Sequence, residues 1–212
     1  MSKLILGDDV VLPHASASGI RVNQTSPTFT WREILGEIAP KASGAGSPSR
    51  TTFRGNVKAM AFILNDEVDM QYHIPHDWVP GTDLFFHYHW AHNGTNISGD
   101  LAISTYITYQ KGHNQAVFPA DITHTTTVST PDLTTIPQYS HRLNETQLSA
   151  SSPSGSQLDT DDIEVDGLII ATAKVTTLPS ITGGSLFLFQ GDIHYLSKNI
   201  GTVAKVPNFY VP

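Results

Sequence analysis

The sequence predicts an all-β protein, a sandwich or a barrel, with one short helix near its N-terminus. Three observations predict it. Apolar and polar residues alternate with period two in five runs, the pattern of strands in a half-buried sheet. Gly, Ser and Pro stretches separate such runs, and these cannot build a core of their own. Helical spacing stands out in a single segment. At 212 residues, 39% hydrophobic and 15% charged, the chain can bury one sizeable core.

The helix is expected in "TFTWREILGEIA" (28–39), where Trp31, Ile34, Leu35 and Ile38 fall at i, i+3, i+4 and i+7, one helical face. Thr30 and Glu33 have capping-box spacing, while Gly36 weakens the segment. Such a helix would dock across a sheet edge or a neighbouring subunit. The first strand, 57–64, sets Val57, Ala59, Ala61 and Ile63 against Lys58, Met60, Phe62 and Leu64, so it reads as buried on nearly both faces. In 84–90, Leu84, Phe86, Tyr88 and Trp90 form the core face, and Phe85, His87 and His89 the other. The run 101–109 puts Leu101, Ile103, Ile107 and Tyr109 together. "LIIATAKVTTL" (168–178) and "SLFLFQGDIHYL" (185–196) complete the set; both are rich in β-branched or aromatic residues. Pro75, Pro80, Pro119 and Pro179 lie where strand ends need blunting.

The stretches 40–51 and 149–157 read as long loops and not as boundaries, because neither flank completes a sheet. The expectation is one domain over residues 1–212, with extended arms at 1–18 and 201–212. Trp78 lies in the turn "HDWVPGT", and Phe209 and Tyr210 in the terminal "PNFYVP". These three are the expected contact residues, the last two because a tail cannot bury its aromatics alone.

Several functions are excluded or left without support. The formal charge is −7, from 12 basic and 19 acidic side chains; with no basic run, no nucleic-acid partner is expected. There is no cysteine, hence no disulfide, thiol nucleophile or thiolate metal site. No run approaches the roughly 20 apolar residues of a membrane helix, and "MSKLILGDDVVLPH" lacks a signal-type core; folding in a cytoplasm is expected. The motifs G-x-S-x-G, H-E-x-x-H and the P-loop do not occur. Asp77 and Asp83 could pair as acid and base, but each adjoins a turn, where Asp bonds its own backbone. His141 and Glu145 have helical spacing without a helical context. The chain is therefore expected to have no catalytic residues and no cofactor.

Histidine is the remaining signal. "HIPHDWVPGTDLFFHYHW" (73–90) carries four histidines, and His92 follows. On a strand, His87 and His89 project to the same side about 7 Å apart at Cα, a spacing from which one metal ion can be chelated. Gly81 and the H-x-H pair match the opening of the cupin first motif, and Gly191 with His194 resembles part of the second. The carboxylate that motif expects is replaced by Asn93 and Gly94, and no acidic partner stands nearby in sequence. His87, His89 and His194, with His92 to close the set, remain metal candidates; the simpler reading is a half-polar strand face. In "DTDDIEVDG" (159–167), Asp162, Glu164, Asp166 and Gly167 begin like a calcium loop. The chelating position twelve falls on Ala173, so a solvated acidic turn is expected.

Several phrases carry a resemblance: "SGIRVNQTSPTFTWREILGEI" (18–38), "HIPHDWVPGTDLFFHYHWAHN" (73–93), "YQKGHNQAVF" (109–118), "DTDDIEVDGLII" (159–170) and "DIHYLSKNIGTVAKVPNFY" (192–210). Together and in this order they resemble a family of tailed-bacteriophage and prophage virion structural proteins. The resemblance implies an antiparallel, jelly-roll-like β-sandwich without enzymatic activity that assembles on a particle. It implies a capsid cement or decoration protein first, and a collar, tail or spike component second. The implied partners are further copies of itself, as a homotrimer, and the major capsid protein or other virion proteins. The family supplies no catalytic residues. The rival readings are a cupin-like metal protein using His87 and His89, and a glycan-binding module using Trp78.

Overall fold

The computed structural model describes residues 4–6, 9–13, 20–23, 29–41, 46–148, 158, 162–202 and 204–209. In chain order the elements begin with β1 (Leu4–Leu6), β2 (Asp9–Pro13) and β3 (Ile20–Asn23), a small antiparallel sheet. Then come β4 (Thr30–Gly36), β5 (Ala39–Pro40), β6 (Ser49–Arg54), β7 (Val57–Phe62), β8 (Glu67–His73) and β9 (Leu84–His92). After β10 (Asn96–Ser98), β11 (Leu101–Gln110) and β12 (Ile122–Val128) follows α1 (Thr130–Leu133). The series closes with β13 (Arg142–Leu148), β14 (Leu168–Thr177), β15 (Ser180–Thr182) and β16 (Leu186–Ser197).

Two larger antiparallel sheets face each other. One is ordered β12-β11-β14-β8-β5; the other is β13-β9-β16-β7-β6, with β4 added along β16. Consecutive strands such as β8 and β9, or β13 and β14, belong to opposite sheets, so the chain crosses repeatedly between layers. Alternation explains what fills the space between them. Leu84, Phe86, Tyr88 and Trp90 of β9 are buried, as are Val68, Met70 and Tyr72 of β8 and Ile169, Ala171, Ala173 and Val175 of β14. Tyr72 packs edge-on against Phe86 with ring centroids 5.4 Å apart, and the Tyr88 hydroxyl meets that of Thr105. Each of the larger aliphatic side chains, and Phe86 and Met70, contributes about 1.5–3 kcal/mol through burial. Desolvation in this layer raises the Tyr72 and Tyr88 phenols well above their ordinary value, so both remain neutral, and Tyr72 donates to Met70 Sδ.

Four expectations meet this architecture differently. The core faces of 84–90 and 101–109 are as the alternation implies. The helix in 28–39 is absent: Thr30–Gly36 is β4, paired residue by residue with β16 from Thr30↔Ser197 to Gly36↔Gly191. The unpaired edge of β16 offers a full ladder of backbone partners, which outweighs a weak helical preference. Gly36 belongs there for a steric reason, because a Cβ would run into the Tyr72 ring and the Gly191 carbonyl. Among the described residues the helix is instead the four-residue α1, with Pro131 in its first turn, where its missing N–H costs no bond. In 57–64, only Ala61 and Phe62 are buried, while Val57 and Ile63 stand in solvent, since this end of the sheet has an uncovered outer face.

Candidate functional site

The outer face of the second sheet gathers the histidines, and a bulge in β16 makes this possible. Leu186 and Leu188 point into the core, but pairing with β9 slips at Phe189, so that Leu188 opposes Trp90 and Gln190 opposes His89. One extra residue reverses which side chains face inward. Beyond it Gly191, Ile193 and Tyr195 turn to the core, and Asp192 and His194 turn outward. The register then lines up Glu145, His87, Asp192 and Leu35 across β13, β9, β16 and β4. The next row holds Gln147, Phe85, His194 and Glu33.

Asp192 is the centre of this group. Its side chain is 0% exposed, and that of His87 is 2% exposed. His89 Nε2 lies 2.7 Å from Asp192 Oδ1. His87 Nδ1 and His194 Nε2 lie 3.4 and 3.6 Å from Oδ2. None of these approaches has hydrogen-bond geometry: both Asp192 oxygens and His87 Nδ1 are buried without a hydrogen-bonding partner. The outer ring nitrogens are held. His87 Nε2 meets Glu145 Oε2 at 2.7 Å, His89 Nδ1 meets His141 Nε2 at 2.9 Å, and His194 Nε2 meets Glu33 Oε1 at 2.7 Å. The His87 and His194 rings touch, with centroids 3.8 Å apart. An open cleft of about 200 Å³, lined by Trp31, Phe85, Glu145 and His194, lies over the group. Trp31 and Phe85 meet edge to face at its wall.

A second histidine group surrounds Asp166. His76 Nε2, His113 Nε2 and His73 Nε2 lie 2.7, 3.0 and 3.4 Å from its carboxylate. Asp166 adopts a positive φ of 62°, a conformation that short polar side chains tolerate. Burial works to raise its carboxyl, but hydrogen bonds and charge from His113, His76 and His73 outweigh it and hold the group below the ordinary value. Phe209 covers the rings of His76 and His113 at 5.8 and 5.7 Å between centroids. Within the acidic turn, Asp166 is thus a partner for three imidazoles, while Asp162 is exposed.

His87, His89 and His194 are therefore brought together, whereas His92 is not. Its ring is fully buried on the core side, with Nε2 near the Ile136 carbonyl oxygen at 3.1 Å. Two of the three expected contact residues, Trp78 and Phe209, are corrected. Trp78 is completely buried, since the bridge from Trp78 to Ser197 draws its turn onto the end of β16. It presents no face to a glycan, and neither do the buried Tyr88 and Trp90. Phe209 is 2% exposed and folds back on its own chain, because the rings of His76 and His113 give it a surface to cover. Tyr210 lies outside the described residues. Asp77 is an anchor: it accepts from the Tyr195 and Ser197 hydroxyls at 3.0 and 2.6 Å and pairs with Arg32 at 3.0 Å.

Sequence reading misses Asp192 and Glu33 as partners of the first group, and sets aside His141 and Glu145, the fourth imidazole and a further acidic partner, for want of a helix that would join them. Glu145 and Glu33 reach the site from β13 and β4, and His141 from the residue before β13, so no local spacing announces them. The exception is Asp192, two residues before His194 in "GDIHY", the same spacing as the H-x-H pair on the strand alongside.

No family model and no curated protein matches the chain. Among solved structures, a carbohydrate-binding module specific for non-crystalline cellulose is 11% identical, covering 76% of this chain and 85% of that one, at a TM-score of 0.35. A CBM4 module is 7% identical, over 82% and 90% of the two chains, at 0.28. A family 11 module from Clostridium thermocellum, in complex with a β-1,3-1,4-mixed-linked tetrasaccharide, is 11% identical over 82% and 91%, at 0.27. With TM-scores this low, none of them assigns this chain a ligand or a role.

Proposed function

We propose that the chain is a non-enzymatic structural protein of a tailed-bacteriophage particle, and within it a capsid cement or decoration protein. In this reading it is a jelly-roll-like sandwich that works as a homotrimer, bridging neighbouring capsomers of the major capsid protein. Two things support it: the resemblance of five ordered segments to virion structural proteins, and the outer face of the β13-β9-β16-β4 sheet. That face is the observation that carries the proposal. Trp31 and Leu35 of β4 are 56% and 65% exposed, and Leu143 of β13 is 43% exposed, although all three lie on a regular, well-paired sheet. Large apolar side chains left in solvent on one face of a sheet suit a contact surface, and aromatic residues such as Trp31 dominate interface energetics. An acidic balance of −7 suits protein contact and disfavours the packaged genome.

The test uses particles and the isolated chain. Density-gradient-purified virions are expected to contain the protein in stoichiometric amount on the head surface, by mass spectrometry and electron cryomicroscopy. Native mass spectrometry is expected to give three times the 23.0 kDa chain mass. Replacing Trp31 and Leu35 with serine is expected to weaken capsid binding by about tenfold or more. Absence of the protein from purified particles refutes the reading.

A further inference from the structure

A buried carboxylate normally collects hydrogen bonds, because leaving it bare costs several kcal/mol. Asp192 is 0% exposed and neither oxygen accepts one, while His87 Nδ1 beside it is equally bare. A network built only of hydrogen bonds would have used these atoms first. Instead, the donor atoms of His87, His89 and Asp192 all lie within 4.8 Å of one another, with His89 Nε2 2.7 Å from Asp192 Oδ1 and His87 Nδ1 3.4 Å from Oδ2, converging in ion-pair approaches without hydrogen-bond geometry. That is how ligands stand around a common centre: two donors bound at about 2.0–2.2 Å to one tetrahedral ion lie roughly 3.3–3.6 Å apart.

The surrounding groups fit the same centre. His87 turns Nδ1 inward while Glu145 holds its Nε2 at 2.7 Å. His89 turns Nε2 inward, and its Nδ1 is held by His141. A metal-bound imidazole needs just such a partner on its other nitrogen to fix tautomer and orientation. His194 Nε2, 3.6 Å from Asp192 Oδ2, is the nearest further imidazole nitrogen and would exchange its contact with Glu33 Oε1 for the ion as fourth donor; the cleft beside Trp31 and Phe85 leaves solvent a way in. Three carboxylates, those of Asp192, Glu145 and Glu33, bear on the spot, and a dipositive ion would balance most of that charge.

We propose that His87, His89 and Asp192, with His194 as fourth donor, bind one divalent transition-metal ion of the zinc class on the outer face of the sheet. The donor set is imidazole with a single carboxylate, which suits zinc, cobalt, nickel or copper and not the all-oxygen shells of calcium or magnesium. The site lies beside the proposed contact surface but does not depend on that reading; its test needs only the isolated chain and the metal.

Untagged full-length protein, stripped with chelator, is titrated with Zn²⁺ by calorimetry and with Co²⁺ by visible absorption. The expected result is one ion per chain, with d–d bands of a four-coordinate nitrogen and oxygen site. His89→Gln and His194→Gln, whose side chains are 21% and 27% exposed and easily replaced without disturbing the core, are each expected to weaken binding by about 100-fold. Glu145→Gln, acting through His87, is expected to cost about 10–100-fold. His76→Gln, in the Asp166 group, is expected to leave affinity unchanged. Failure of the folded wild-type protein to take up one equivalent overturns the proposal, and so does unaltered binding by His89→Gln and His194→Gln. Several weak equivalents in place of one overturn it as well, since they mean only surface histidines.

Discussion

At Asp166 a single carboxylate faces three imidazoles while its backbone sits at positive φ, so its ionised form is the one the fold selects. Its folded value is held below the ordinary carboxylate value. The resulting stability is fully present above the unfolded value of about 3.9 and is lost as pH falls through the folded one. Asp166→Asn removes the charge but keeps the shape. It is expected to destabilise the protein by about 1–3 kcal/mol at neutral pH, with the gap to wild type closing below about pH 4. Urea denaturation at a series of pH values measures both. Much at this scale is legible in sequence: alternation alone assigns Leu84, Phe86, Tyr88 and Trp90 to the core. Trp78 is not legible, because a turn residue reads as exposed until the neighbouring strand end is known to receive it.

β4 is where local and tertiary preferences conflict. Its apolar residues, Trp31, Ile34 and Leu35, keep helical spacing and no two of them stand two apart, so periodicity by itself points to a helix. What decides is β16, whose C-terminal half needs a partner along the edge that β7 leaves after Leu188. Gly36→Ala separates the two conformations by sign. In a helix it would add about 1 kcal/mol of stability. On β4, where the new methyl group meets Tyr72 and the Gly191 backbone, it is expected to cost about 1–3 kcal/mol, readable as a lower thermal midpoint. The bulge at Phe189 is the other feature of this scale hidden from the sequence. Strict alternation from Leu186 would send Asp192 and His194 into the core, and only the slipped register against β9 carries them to the face that His87 and His89 share.

For the whole molecule, composition and patterning suffice to read antiparallel β layers, but not which strands adjoin. Pairings such as Asp192↔His87 and Glu145↔His87 join residues far apart in the chain, and from them comes the grouping of acidic side chains with imidazoles. Net charge acts at this scale too. With −7 spread over 212 residues and no basic run, the protein is expected to leave duplex DNA unshifted in gel electrophoresis even at low salt, where phosphate attraction is strongest. A shifted band would break the separation from the genome that the particle role assumes.

β16 takes β9 along one side and β7 and then β4 along the other, and the ribosome makes all three of those partners before it. A nascent chain therefore carries three exposed edges, each able to pair with a stranger, until the segment that joins them emerges. Closure of this layer is a late event in synthesis, and a chain cut short before Leu186 is left adhesive instead of merely smaller.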